Sequence, residues 1–146
     1  MQNVSFVAQA VDWIPESLFQ ILTAAYRHRG LSFVRILQRC PEFVGNMFEP
    51  WVHDPQRMLM LTHADGIRVS PALQKIYRNQ LPHDPADINR AREIASSEDP
   101  IPVGILYRNP EVPCYEDLRG AGKLRTADQV RGALDAEFDK FTVWPQ

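Results

Sequence analysis

Apolar positions are most concentrated at 31–37, Leu-Ser-Phe-Val-Arg-Ile-Leu, where only Ser32 and Arg35 interrupt. A run this short and this rich in Phe, Val and Ile predicts a strand buried on both faces, as in a parallel sheet. Gly30 and Pro41 bound it. Upstream, 5–11 (Ser-Phe-Val-Ala-Gln-Ala-Val) predicts a second strand, and between the two Leu18, Ile21, Leu22 and Ala25 recur at helical spacing. That helix should open at Pro15, whose missing N–H costs nothing in a first turn, with Glu16 favourable to the macrodipole. Arg27, His28 and Arg29 suit its last turn and Gly30 its close. Strand, helix and strand then make a βαβ unit with parallel strands and a right-handed crossover.

Residues 41–57 mix Pro41, Gly45, Pro50 and Pro55 with Phe43, Phe48 and Trp51, the pattern of an irregular but packed loop. Met58–Thr62 and Ile67–Val69 flank His63-Ala64-Asp65-Gly66 and predict a small hairpin. Ser70-Pro71 should cap a helix carrying Leu73, Ile76 and Tyr77, and Asp84-Pro85 another with Ile88, Ala91 and Ala95 inward. Ile101–Tyr107 predicts a third sheet strand, with Pro102 pointing to an edge or to a strand's first residues. Residues 108–125 read as a loop broken by Pro110, Pro113 and Gly120. Thr126-x-x-Gln129 is a capping box opening a last helix with Val130, Ala133, Leu134, Phe138 and Phe141 on one face. The fold class is α/β: a partial parallel sheet with flanking helices, in a single domain over 1–146.

Composition narrows the function classes. With 146 residues, 45% hydrophobic and 23% charged, the chain suits one globular domain with a core. A net charge of −2 gives no sign of a nucleic-acid or membrane-surface partner. No apolar run approaches the ~20 residues that span a bilayer, and Met-Gln-Asn-Val opens no signal-type segment, so a cytoplasmic location is expected. Two cysteines make no disulfide framework.

Cys40 is the candidate site residue. It follows the C-terminal end of a predicted strand, where open α/β sheets hold their ligands. Two readings stand: a buried free thiol acting as a small hydrophobe, or a metal or cluster thiolate favoured by Arg35 and Arg39. No Cys-x-x-Cys is present, so Cys40 and Cys114 cannot build a four-thiolate site by themselves. His28 suits a helix end, and His53, His63 and His83 sit in turns without ligand-spaced partners. Asp65-Gly66 reads as a turn, and no Ser-His-Asp or phosphate-loop signature appears.

A family resemblance enters on Ser5-Phe-Val-Ala-Gln, then on Leu18-x-x-Ile21-Leu22-x-Ala24-Ala25-Tyr26-x-His28-x-Gly30-x-Ser32-Phe33-Val34-x-Ile36-Leu37-Gln38-x-Cys40, and again on Pro102-Val103-Gly104-Ile105-Leu106-Tyr107-Arg108. These stretches resemble the beta subunit of 2-oxoacid:ferredoxin oxidoreductases, more the 2-oxoglutarate type than the pyruvate type. The resemblance implies a complex that binds thiamine diphosphate, Mg²⁺ and a [4Fe–4S] cluster and oxidises a 2-oxoacid to an acyl-CoA, passing electrons to ferredoxin. It implies that Cys40 holds the place of a cluster ligand. The family's Gly-Asp-Gly motif and its Cys-x-x-Cys pair are absent from this sequence, so no catalytic residue carries over and no cofactor is expected on this chain alone. The chain thus resembles the C-terminal part of such a subunit, whose partners would be the upstream part of the beta subunit, an alpha subunit, ferredoxin and coenzyme A. The alternative is a non-catalytic binding or assembly module that retains the fold.

Overall fold

A computed structural model describes residues 4–43, 45–64, 67, 69–120 and 126–141. The chain divides into two compact units, Met1–Cys114 and Tyr115–Gln146. The first holds a five-stranded sheet in the order β2-β1-β5-β3-β4, built from β1 (Phe6–Val11), β2 (Ser32–Leu37), β3 (Met58–Thr62), β4 (Gln80–Pro82) and β5 (Ile101–Arg108). The α/β class stands. The βαβ unit is present: β1 pairs in parallel with β2, and helix α1 (Pro15–Arg27) connects them. Helix α1 starts at Pro15 and turns Ser17 and Ile21 into the interior; Leu22, expected inward, is exposed, and Ala24 packs on the core instead.

The sheet is mixed where a parallel one was expected. β3 pairs in parallel with both β4 and β5, but β5 runs antiparallel to β1. The joint is irregular, with a register shift between Val7 and Ala8. Gly104 lies opposite Gln9 there at φ +141°, and a Cβ on it would press on Leu61 Cβ at 2.8 Å. Only glycine satisfies both the dihedral and the close approach. Gln9, buried among apolar neighbours, donates from Nε2 to the Pro102 carbonyl at 2.8 Å, so its burial leaves the amide hydrogen-bonded.

Two further expectations change. The run at 31–37 is not a strand buried on both faces. β2 lies at the sheet margin, β1 its neighbour on one side, with Phe33 56% and Ile36 43% exposed. β5 is the central strand, and Pro102 is its second residue, so of the two places expected for it the strand entry holds and the edge does not. Among the described residues the hairpin pairing is not seen. β3 takes β4 and β5 as partners, while Ile67 and Val69 pack on the core as coil. The expected turn residues Asp65 and Gly66 lie outside the described residues.

The packed loop after β2 contains α2 (Glu49–His53) and a 3₁₀ turn at Pro55–Arg57. Helix α3 (Pro71–Ile76) is capped by Ser70, whose Oγ accepts from Leu73 N. Helix α4 (Ile88–Ala95) is capped by Asp87, not Asp84: Asp87 Oδ1 accepts from Asn89 N and Arg90 N at 3.0 Å. Its buried residues are Ala91, as expected, and Ile94, while Ile88 and Ala95, expected inward, are exposed. The core is Phe6, Ala8, Val11, Ile14, Ile21, Met58, Met60, Val103 and Ile105 with their neighbours. The second unit holds α5 (Tyr115–Leu118) and α6 (Ala127–Asp139). The capping box forms: Thr126 Oγ1 accepts from Gln129 N, and Gln129 Oε1 accepts from Thr126 N. No helix among the described residues is long and apolar enough to cross a membrane.

Candidate functional site

The antiparallel joint decides which residues share an end of the sheet. β1 and β2 finish where β5 and β3 begin, so Cys40, Asp12 and Trp13 lie at the end from which Arg57 and Asp99 enter the sheet. At the opposite end, β1 and β2 begin while β3, β4 and β5 finish. That end holds Ser5, His63, His83 and Arg108.

Cys40 is half-buried three residues beyond β2, and its carbonyl accepts from Gly45 N at 3.1 Å in the turn that follows. Its arginine neighbours do not converge on the sulfur as expected. Arg39 is committed to Asp12, with Nε on Oδ1 at 3.0 Å, its own backbone N–H on Oδ2, and its guanidinium 5.9 Å from the Trp13 ring centre. Arg35 is an exposed residue of the marginal strand, in register with Gln9. Beyond Trp13 an aromatic band runs through Phe48 (5.8 Å) and Trp51 (6.2 Å further) to Arg57, 4.8 Å over the Trp51 ring. Arg57 grips both oxygens of Asp99, and this guanidinium holds the Asp99 carboxyl below the usual carboxylate range.

Cys114 is the other half-buried thiol, at the last position of the first unit. Among the described residues, no three His, Cys, Asp or Glu side chains come together to hold a metal ion. Two cysteines are too few for a four-thiolate cluster.

The opposite end explains the motif around α1 and β2. Ser5 Oγ and His28 Nε2 are hydrogen-bonded at 2.8 Å, and the Phe6 ring lies 5.4 Å from the imidazole. Gly30, at φ +139°, passes so close that a Cβ would collide with Ser5 Oγ and meet His28 Nε2 at 3.1 Å. Ser32 Oγ donates to the Ala25 carbonyl at 3.0 Å, tying the start of β2 to the last turns of α1. Burial, and secondarily the charge of Arg108, hold the His28 imidazole below its ordinary pKa. The local pattern assigns His28 to the helix dipole alone. Its partner lies 23 residues upstream, and no local pattern announces such a pair.

The structure also brings together two histidines that read as scattered. His63 follows β3 and His83 follows β4, and their rings meet edge to face at 6.4 Å. His83 is buried, with Nε2 2.6 Å from the Leu106 carbonyl oxygen. A carbonyl can only accept, so that nitrogen carries the proton.

The family that describes the C-terminal region of the pyruvate ferredoxin oxidoreductase beta subunit matches residues 72–122. A 2-oxoacid:ferredoxin oxidoreductase subunit beta from Sulfolobus sp is 27% identical over 118 residues, 77% of this chain and 34% of that protein. The 2-oxoacid:ferredoxin oxidoreductase 2 subunit beta of Aeropyrum pernix is 29% identical over 117 residues, with the same coverage. The 2-oxoglutarate oxidoreductase subunit KorB of Mycobacterium tuberculosis is 33% identical over 67 residues, 44% of this chain and 18% of that protein. These likenesses support the beta-subunit family. The chain spans about a third of the length of the first two relatives.

Proposed function

We propose that this chain is the C-terminal part of a 2-oxoacid:ferredoxin oxidoreductase beta subunit. The assembled complex oxidises a 2-oxoacid with coenzyme A to an acyl-CoA and CO₂, and the two electrons released pass to ferredoxin. Its substrate is 2-oxoglutarate, in keeping with the name of the mycobacterial relative. Thiamine diphosphate and Mg²⁺ supply the decarboxylating chemistry when bound, and their ligands come from outside this chain. The complex works in the cytoplasm.

One observation carries this reading. Four polar residues of the family-like motif have a structural task here: Ser5 and His28 join α1 to the sheet, Ser32 fastens β2, and Gln9 fastens β5. The motif therefore serves to deliver β2, and Cys40 just beyond it, in a fixed place. This chain's role is to complete the sheet behind the cofactors and to offer the Cys40 thiolate to a cluster whose other thiolates lie in the upstream part of the beta subunit. The exposed apolar side chains of β2, Phe33 and Ile36, suit a strand that another polypeptide covers.

Co-expression with a tagged alpha subunit and a beta segment bearing the Gly-Asp-Gly and Cys-x-x-Cys motifs tests this. The chain should co-elute with both in fixed ratio. Elution of a stable two-component complex that excludes this chain would overturn the proposal.

A further inference from the structure

A cavity of about 720 Å³ opens at the end of the sheet opposite Cys40. Arg27, His28 and Arg29 line it from the end of α1, and Arg108 lines it from the end of β5. Thr23 adds a hydroxyl, and Phe19, 72% exposed, adds an aromatic face. The volume lies in the range of small-molecule sites, roughly 300–1,000 Å³.

The helix dipole accounts for one arginine in a last turn. It does not account for Arg108, which reaches the same cavity from a strand. Arg29 and Arg108 each have an interaction of their own within the chain. Cations from two elements thus border one concave, partly apolar space. After burial, the charge of Arg108 is the second influence that favours the neutral form of His28 in this corner.

The geometry points to a binding site for an organic phosphate of nucleotide size, its phosphates held by Arg27, Arg29 and Arg108 and its planar part laid against Phe19. Guanidinium groups give planar, two-pronged recognition of phosphate oxygens, and several of them suit a diphosphate better than a single carboxylate. The site is separate from the chemistry at Cys40. β2 lies between them, and six strand residues extend roughly 20 Å. A ligand here acts on the stability or assembly of the sheet, not on the reacting atoms. The inference does not rest on the oxidoreductase reading.

Titration calorimetry on the full chain tests it, with ADP, inorganic pyrophosphate, adenosine and succinate as probes. ADP and pyrophosphate should bind, and adenosine and succinate should bind much more weakly or not at all. Arg27→Gln, at an exposed position that leaves the core intact, should weaken ADP binding about fivefold, the loss of a charge-assisted pair. Arg78→Gln, the same charge change outside the cavity, should leave it unaltered. Failure of both phosphates to bind, equal binding of succinate, or equal losses in the two variants would overturn the assignment.

Discussion

Ser5 Oγ and His28 Nε2 lie 2.8 Å apart at the start of β1 and the end of α1. Gly30 turns beside them at φ +139° with no room for a side chain. Three residues spread over the first 30 thus form one joint that sets how α1 returns to the sheet, and hence where β2 and Cys40 lie.

Gly30→Ala should therefore be costly. The backbone dihedral disfavours any Cβ, and the methyl group would displace Ser5 Oγ. A loss of about 2 kcal/mol is expected in urea unfolding. Pairing the change with Ser5→Gly should recover part of it, because that removes the collision and leaves the dihedral strain. A Gly30→Ala variant as stable as the parent would show that the joint is loose.

His28 gives the acid side of the stability curve a slope. Its folded pKa lies below the ordinary 6.5, through burial first and Arg108 second. Between those two values the unfolded chain binds a proton that the folded chain does not, so stability rises with pH there. The contribution is fully present above about 6.5 and is lost as pH falls towards the folded value. Thermal melts of His28→Gln, whose amide can still reach Ser5, should fall less steeply over that window. An unchanged slope would exclude His28 as its source.

The central strand and the marginal strand should respond differently to substitution. Ile105 is 1% exposed on β5, and Ile105→Ala should cost about 3 kcal/mol. Phe33 and Ile36 stand exposed on β2, so Phe33→Lys with Ile36→Lys should cost less than about 1 kcal/mol. The wild-type chain alone should self-associate through this margin, and the double variant should not. Sedimentation velocity showing a sharp wild-type monomer would contradict that expectation.

Local signals make much of this fold legible. Pro15 and the apolar spacing after it place α1, Thr126 with Gln129 places the cap of α6, and the apolar runs place β1, β2 and β5. Pairing is harder to read. Nothing in 101–107 tells that β5 runs antiparallel to β1, because strand direction depends on the connections and on partners far along the chain. β4 escapes the pattern because three residues, Gln80-Leu81-Pro82, are too few for a periodicity. The apolar run at 31–37 looks like an interior strand because its sequence is apolar on both faces, while Phe33 on one face and Ile36 on the other are exposed in this chain. That Cys40 follows a strand is legible in the sequence. The Ser5–His28 pair and the cavity arginines are not, since tertiary structure alone brings them together.

Cys40 and Cys114 should separate cleanly by substitution. In the complex assembled with the cysteine-bearing segment, Cys40→Ser should lower iron content and visible cluster absorbance, since serine is a poor donor to cluster iron. Cys114→Ser should leave both unchanged. Full iron in Cys40→Ser would make Cys40 a simple half-buried thiol.

The most direct measurement is electron delivery by the assembled complex. The alpha subunit, the beta segment bearing the cofactor motifs and this chain are combined with thiamine diphosphate, Mg²⁺ and coenzyme A, and ferredoxin reduction is followed by absorbance. Reduction should need 2-oxoglutarate and coenzyme A, proceed faster than with pyruvate, and disappear when this chain is left out. The same rate without this chain would contradict its place in the enzyme.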